Sequence, residues 1–137
     1  MAQARVVESI EASVEAVWTI LGNFAGMGPG PGITAVSYDG EGVGMTRTIE
    51  TPNGKIIERL ETHDSDNHTF SYVILNDDSP LPFSGYRAEV TLAATGTGTQ
   101  VTWVGTFEPK GVEEAKAVAI ASGIYSGGIA GARKALT

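Results

Sequence analysis

Residues 112–136 read VEEAKAVAIASGIYSGGIAGARKAL, and this stretch decides the fold. It contains no proline, opens on Glu113 and Glu114 and closes on Arg133 and Lys134. Acidic groups at the start and basic groups at the end complement the helix dipole, so Val112 to Leu136 is predicted to be one long C-terminal helix. Val118, Ser122, Tyr125 and Ile129 fall on one stripe of it, among Gly123, Gly127, Gly128 and Gly131. A mid-helix glycine costs about 0.5–1 kcal/mol relative to alanine. Two reasons for four of them stay open: close packing on the sheet or a second subunit, or volume left for a ligand.

Upstream of this helix the sequence has strand periodicity. Predicted strands run over Arg5 to Ile10, Thr34 to Tyr38, Gly44 to Thr51, Lys55 to His63, Thr69 to Leu75, Tyr86 to Ala94 and Gln100 to Phe107. Turn sequences such as Asp39-Gly40-Glu41-Gly42, Pro52-Asn53-Gly54 and Gly96-Thr97-Gly98 separate them, which describes an antiparallel meander. After the first strand, Ser13 stands at an N-cap position before Val14 to Leu21, whose apolar residues have helical spacing. Phe24 to Met27 adds a second, very short helical turn. The economical assembly is α+β: a curved seven-stranded antiparallel sheet wrapped around the long helix, in a single domain.

Alternation assigns the faces. Val101, Trp103, Gly105 and Phe107 point inward, as do Tyr86, Ala88, Val90 and Leu92, and Phe70, Tyr72 and Ile74. In Lys55-Ile56-Ile57-Glu58-Arg59-Leu60-Glu61, Arg59 and Glu61 form a solvated pair on the outer face, which places Glu58 inside between Ile56 and Leu60. If Asn53-Gly54 is a two-residue hairpin turn, Ile49 pairs with Glu58 and Arg47 with Leu60, making Arg47 an inward-facing diagonal neighbour of Glu58. Such a pair is either a buried ion pair that locks register or part of a ligand cavity wall, and periodicity does not choose. Tyr72 and Tyr86 bring two hydroxyls to the same concave face.

Bulk properties narrow the function. The chain has 137 residues, 9 basic and 16 acidic groups, a formal charge of −7 and no cysteine. There is no basic stripe for a nucleic-acid backbone, no thiol chemistry and no apolar run of the roughly 20 residues that would span a bilayer. The N-terminal MAQARVVESI lacks the apolar core of a signal peptide, so the expected location is cytoplasmic. His63 and His68 bracket Asp64-Ser65-Asp66 in a predicted hairpin turn, which reads as a solvated loop, and no metal or cofactor is expected. Residues 26–32, GMGPGPG, suggest a phosphate loop but lack the Gly-Lys-Ser/Thr ending, carry two prolines and lead into a strand.

The element order, together with Ala12-Ser13-Val14-Glu15-Ala16-Val17-Trp18, Gly42-Val43-Gly44, Ile57-Glu58-Arg59-Leu60, Tyr86-Arg87-Ala88 and Val101-Thr102-Trp103, resembles the START/Bet v 1-like (SRPBCC, helix-grip) superfamily. More narrowly it resembles the bacterial polyketide cyclase/dehydrase-type proteins. The resemblance implies a cavity between the sheet and the C-terminal helix that binds a hydrophobic small molecule, polyketide-, lipid- or hormone-like. Its expected walls are Ile49, Tyr72, Ile74, Tyr86, Ala88, Trp103, Ser122, Tyr125 and Ile129. The alternative is a cofactor-independent cyclase/dehydrase in which Glu58 is the general acid or base and Arg47, Tyr72 and Tyr86 orient a carbonyl. GMGPGPG then becomes a rim segment of the cavity mouth. Segments around Glu58 and Tyr86 also resemble plant abscisic acid receptors, with Thr51 to Lys55 and Asp78 to Ser84 as gate and latch, but the receptors' carboxylate-binding lysine has no counterpart near GMGPGPG. A homodimer through the glycine-rich helix is a further possibility.

Overall fold

The computed structural model describes residues 1–137. Nine elements follow in order: β1 (Ala2–Ile10), α1 (Val14–Leu21), β2 (Ala35–Asp39), β3 (Thr46–Thr51), β4 (Gly54–Asp64), β5 (Thr69–Ile74), β6 (Phe83–Ala94), β7 (Thr99–Pro109) and α2 (Glu114–Ala135), with a 3-10 turn at Phe24–Gly26 after α1. The strands form one antiparallel seven-stranded sheet in the order β1-β7-β6-β5-β4-β3-β2. With its long C-terminal helix, this is the helix-grip arrangement.

Local chemistry sets the element ends. Ser13 has an extended backbone and its hydroxyl accepts from the Ala16 amide at 3.2 Å, capping α1. β1 begins three residues before the predicted start because Ala2 and Ala4, too small to stand out as a strand pattern, pair with Phe107 and Gly105 and are fully buried. β6 likewise starts early, at Phe83, where Gly85 takes a φ of 60° inside a register irregularity between Ser84 and Arg87.

The β3–β4 hairpin differs from the expectation in register. Thr51 pairs with Gly54, so the turn is Pro52-Asn53 and Arg47 lies directly opposite Glu58. The slip is two residues, an even number, so every inward side chain stays inward.

Inward alternation otherwise holds: Val90, Val101, Gly105 and Phe107 are sealed, and Phe70, Tyr72, Tyr86, Ala88 and Leu92 are buried. The buried stripe of α2 is Ala117, Ala121, Tyr125, Ile129 and Ala132, and Ser122 sits beside it, half-buried. This stripe lies against β1 and β7. The β2–β4 end of the sheet faces α2 across a gap, and that gap holds the candidate site.

Candidate functional site

Between the sheet and α2 lies a cavity of about 670 Å³. β3 and β4 supply Arg47, Ile49, Thr51, Ile56 and Glu58 to its wall, β5 and β7 supply Tyr72 and Trp103, and α2 supplies Ile124, Gly127 and Gly128. A second recess of about 330 Å³ shares Met27, Arg47, Tyr72, Trp103 and Gly128 with it and extends toward Phe24 and Phe70. The size and the apolar wall with few convergent polar groups are those of a small-molecule site.

Five of the expected residues meet at this wall: Arg47, Ile49, Glu58, Tyr72 and Trp103. Ile74, Ala88, Ser122 and Ile129 do not line it, and Tyr86 and Tyr125 lie behind it, joined to Tyr72 by hydroxyl contacts. The rim residues Met27, Pro31 and Gly32 come from GMGPGPG. That segment is pinned in place. Tyr38 donates to the Met27 carbonyl at 2.5 Å, and Gly30 and Ile33 exchange backbone bonds across Pro31-Gly32. Gly32, at a φ of 75°, takes the turn position that favours glycine. Thr51 and Ile56 share the inward face of Glu58 and were legible from alternation. Ile33 and Leu81 come from segments without periodicity, and nothing local marks them.

Arg47 organises the polar side. Its Nε donates to Glu58 Oε1 at 2.7 Å, its Nη1 donates to the Phe24 carbonyl at 3.0 Å, and its guanidinium lies 4.0 Å over the Phe24 ring. The side chains of the pair are only 10% and 9% exposed, which makes the ion pair costly to break from one side. Glu58 Oε2 and Arg47 Nη2 make no hydrogen bond within the protein. No fully buried side-chain nitrogen or oxygen lacks a partner, so both atoms keep some exposure, and both residues line the cavity.

Behind the wall runs a chain of hydroxyls. The Trp103 Nε1 proton goes to Tyr72 Oη at 3.2 Å, Tyr72 Oη meets Tyr86 Oη at 3.2 Å, and Tyr86 Oη meets Tyr125 Oη at 2.6 Å. Burial, and next the Glu58 charge, hold the Tyr72 phenol far above its ordinary pKa, and burial does the same to Tyr86. Tyr125 is pushed up to about 12, again chiefly by burial. All three are neutral donors and acceptors at ordinary pH. Gly105 makes room for this chain: a Cβ there would collide with the Tyr125 hydroxyl. Gly128 does the same for Trp103, whose ring edge would lie 2.9 Å from an added Cβ.

The two histidines are engaged elsewhere. His63 Nε2 contacts the Gly22 carbonyl at 2.8 Å, and both His63 and His68 pack on Trp18. No group of three or more potential metal ligands comes together. No helix is long and apolar enough to cross a membrane.

A curved antiparallel sheet gripping a long helix, with a cavity between them, is the Bet v 1-like helix-grip fold. The family described as polyketide cyclase/dehydrase and lipid transport matches residues 1–137, and the chain belongs to that family. Among solved structures it is similar to XoxI from Bacillus cereus, with 31% identity over 98% of this chain and 95% of that one at a TM-score of 0.83. A protein from Bacillus thuringiensis described as putative and uncharacterized is 30% identical, covering 98% of each chain at a TM-score of 0.82. A protein from Nitrosospira multiformis, 20% identical over 98% of this chain and 96% of its own, shares the fold at a TM-score of 0.74. No curated protein matches the sequence.

Proposed function

We propose that the protein binds a hydrophobic small molecule, polyketide- or lipid-like, in the cavity between β3–β5 and α2. The observation that carries this reading is the cavity of about 670 Å³, with Arg47, Glu58 and Tyr72 as its few polar wall groups. Apolar walls supply the affinity and the polar cluster fixes orientation. Native mass spectrometry of freshly purified protein tests it. The expected result is a retained small mass that is released on unfolding and reduced in Gly127→Leu, where a leucine side chain would occupy the cavity mouth. Protein at its bare mass, with no uptake of added hydrophobic compounds, would overturn it.

A second reading has its own support in the free Glu58 Oε2. A carboxylate oxygen without a protein partner, on a mostly apolar wall that also carries Tyr72, would serve to move a proton on a bound carbonyl compound, as a cyclase/dehydrase requires. Glu58→Gln keeps the shape and removes the base. An enzyme loses turnover of a carbonyl substrate and keeps its affinity. Parallel loss of both, or no turnover by the unaltered protein, leaves the binding function alone.

A further inference from the structure

Given that the cavity is a ligand site, its two lobes constrain the shape of the molecule it holds. The larger lobe, of about 670 Å³, and the smaller, of about 330 Å³, share the wall residues Met27, Arg47, Tyr72, Trp103 and Gly128. Those five stand where the two spaces meet. Along α2 the order is regular: Ile124 and Gly127 face the larger lobe, Gly128 lies at the junction and Gly131 faces the smaller one. With a rise of about 1.5 Å per residue, Gly127 and Gly131 lie roughly 6 Å apart, so the lobes follow one another along the helix axis. A Cβ on either of these two glycines would meet nothing within 4 Å, whereas one on Gly128 would meet the Trp103 ring at 2.9 Å. Open volume, a ring and open volume succeed one another within little more than a helical turn.

Four of the five junction residues are fixed. Arg47 is held by Glu58, by the Phe24 carbonyl and by the Phe24 ring. Tyr72 is bonded to Tyr86 and to the Trp103 indole, Trp103 stacks on Tyr125 with the ring planes 11° apart, and Gly128 has no side chain to move. Met27 differs. The Tyr38 hydroxyl anchors its carbonyl, but its half-buried thioether has none of the hydrogen bonds or ring contacts that hold the others. An unbranched side chain with three rotatable bonds turns aside at little cost. The smaller lobe is also chemically distinct, because Ile20, Leu21, Phe24 and Phe70 make its wall and Glu58 lines only the larger one.

From this arrangement we infer that the smaller lobe is a separate subsite and that the ligand is bipartite: a larger apolar body in the main lobe, a slender link passing Met27, and an apolar end group of single-ring size seated against Phe24 and Phe70. Gly131 sets the room for the end group, as Gly127 does for the body, and Met27 is the movable part of the junction. A compact molecule of similar carbon number occupies the main lobe alone.

Three hydrocarbons test this: 2-(2-phenylethyl)naphthalene, its truncated form 2-ethylnaphthalene, and the compact pyrene. Each is equilibrated between the protein solution and a hexadecane layer, and the amount retained by the protein is measured by gas chromatography, so that affinity is corrected for the probe's own hydrophobicity. The phenyl end group is expected to improve affinity about fivefold over 2-ethylnaphthalene, the effect of aromatic packing on Phe24 and Phe70. In Gly131→Leu that gain disappears while 2-ethylnaphthalene and pyrene bind as before, whereas Gly127→Leu weakens all three. Met27→Ile, stiff at χ1, reduces the phenyl gain alone; a Met27 that only packed would weaken the three probes alike. Nuclear Overhauser contacts in the unaltered protein supply a readout that needs no variant to fold. With one 2-(2-phenylethyl)naphthalene bound, the phenyl protons should meet the Ile20 and Leu21 methyls and the naphthyl protons those of Ile49 and Ile56. If both rings contact Ile49 and Ile56 alone, or the phenyl gain survives in Gly131→Leu, the subsite falls and the cavity reading stands. If the folded protein retains none of the three, both fall.

Discussion

The space between the sheet and α2 divides into two unlike halves. On the β1–β7 side, Ala117, Ala121, Tyr125 and Ile129 of α2 are sealed against the sheet, and Phe83, Tyr86 and Phe107 stack beside them with ring centroids 4.5–6.1 Å apart. On the β3–β4 side, Gly127 and Gly128 of the same helix face Ile49, Ile56 and Glu58 across open volume. Trp103, stacked on Tyr125 at 5.0 Å and bonded to Tyr72, stands between them. The contrast teaches that small residues on one helix do opposite things. Alanines bring the helix onto the sheet, whereas past Tyr125 Gly127 leaves open volume beside the cavity and Gly128 makes room for the Trp103 ring.

The sharpest way to break the sealed half is alkali. In the unfolded chain Tyr72, Tyr86 and Tyr125 ionise near the ordinary value of about 10. In the folded protein burial raises all three, Tyr125 to about 12. The folded state therefore holds more protons than the unfolded one above pH 10, and stability falls as pH rises through that window. Below pH 10 these groups contribute no slope. Urea midpoints measured from pH 8 to 11.5 should be flat and then drop steeply, with the drop shallower in Tyr125→Phe.

Next in size is the open half's ion pair. Arg47→Met leaves Glu58 without its partner and is expected to cost about 3 kcal/mol in urea unfolding, with the loss reduced in the Arg47→Met, Glu58→Gln double variant. Glycine substitutions then compare the halves directly. Gly105→Ala drives a Cβ into the Tyr125 hydroxyl and is expected to destabilise by about 2 kcal/mol. Adding Tyr125→Phe should recover part of that loss, because the colliding atom is gone. Gly127→Ala meets nothing within 4 Å and improves helix propensity, so it should stabilise by about 0.5–1 kcal/mol. If Gly105→Ala and Gly127→Ala shift the midpoint in the same direction, the division into sealed and open halves is wrong.

The fold was largely legible because its signals are local. Alternation in β4 places Glu58 inside whatever it pairs with, and the pattern read from Val112 to Leu136 yields the helix Glu114–Ala135 whatever it packs against. The same locality explains the misplaced β3–β4 turn. Pro52-Asn53-Gly54 fits two hairpins that differ by two residues, and both keep the inward set inward, so the pattern does not distinguish them. Ser122 shows the limit on the helix: the predicted stripe of Val118, Ser122, Tyr125 and Ile129 shares Tyr125 and Ile129 with the buried stripe but takes Val118 and Ser122, where it is Ala117 and Ala121 that pack on the sheet. Alanine is weakly apolar and gives little signal, yet it marks the closest approach.

The sequence by itself determined the α+β class, the inward faces and the presence of an interior carboxylate, arginine and tyrosines. These follow from backbone geometry over a few residues. Only the tertiary structure decided that Arg47 lies directly opposite Glu58, that Tyr86 and Tyr125 stand behind Tyr72, and that Gly127 borders a cavity while Gly105 fills with a neighbour's hydroxyl. Each depends on where chain segments far apart in sequence come to rest, and an empty volume depends on all of its walls at once.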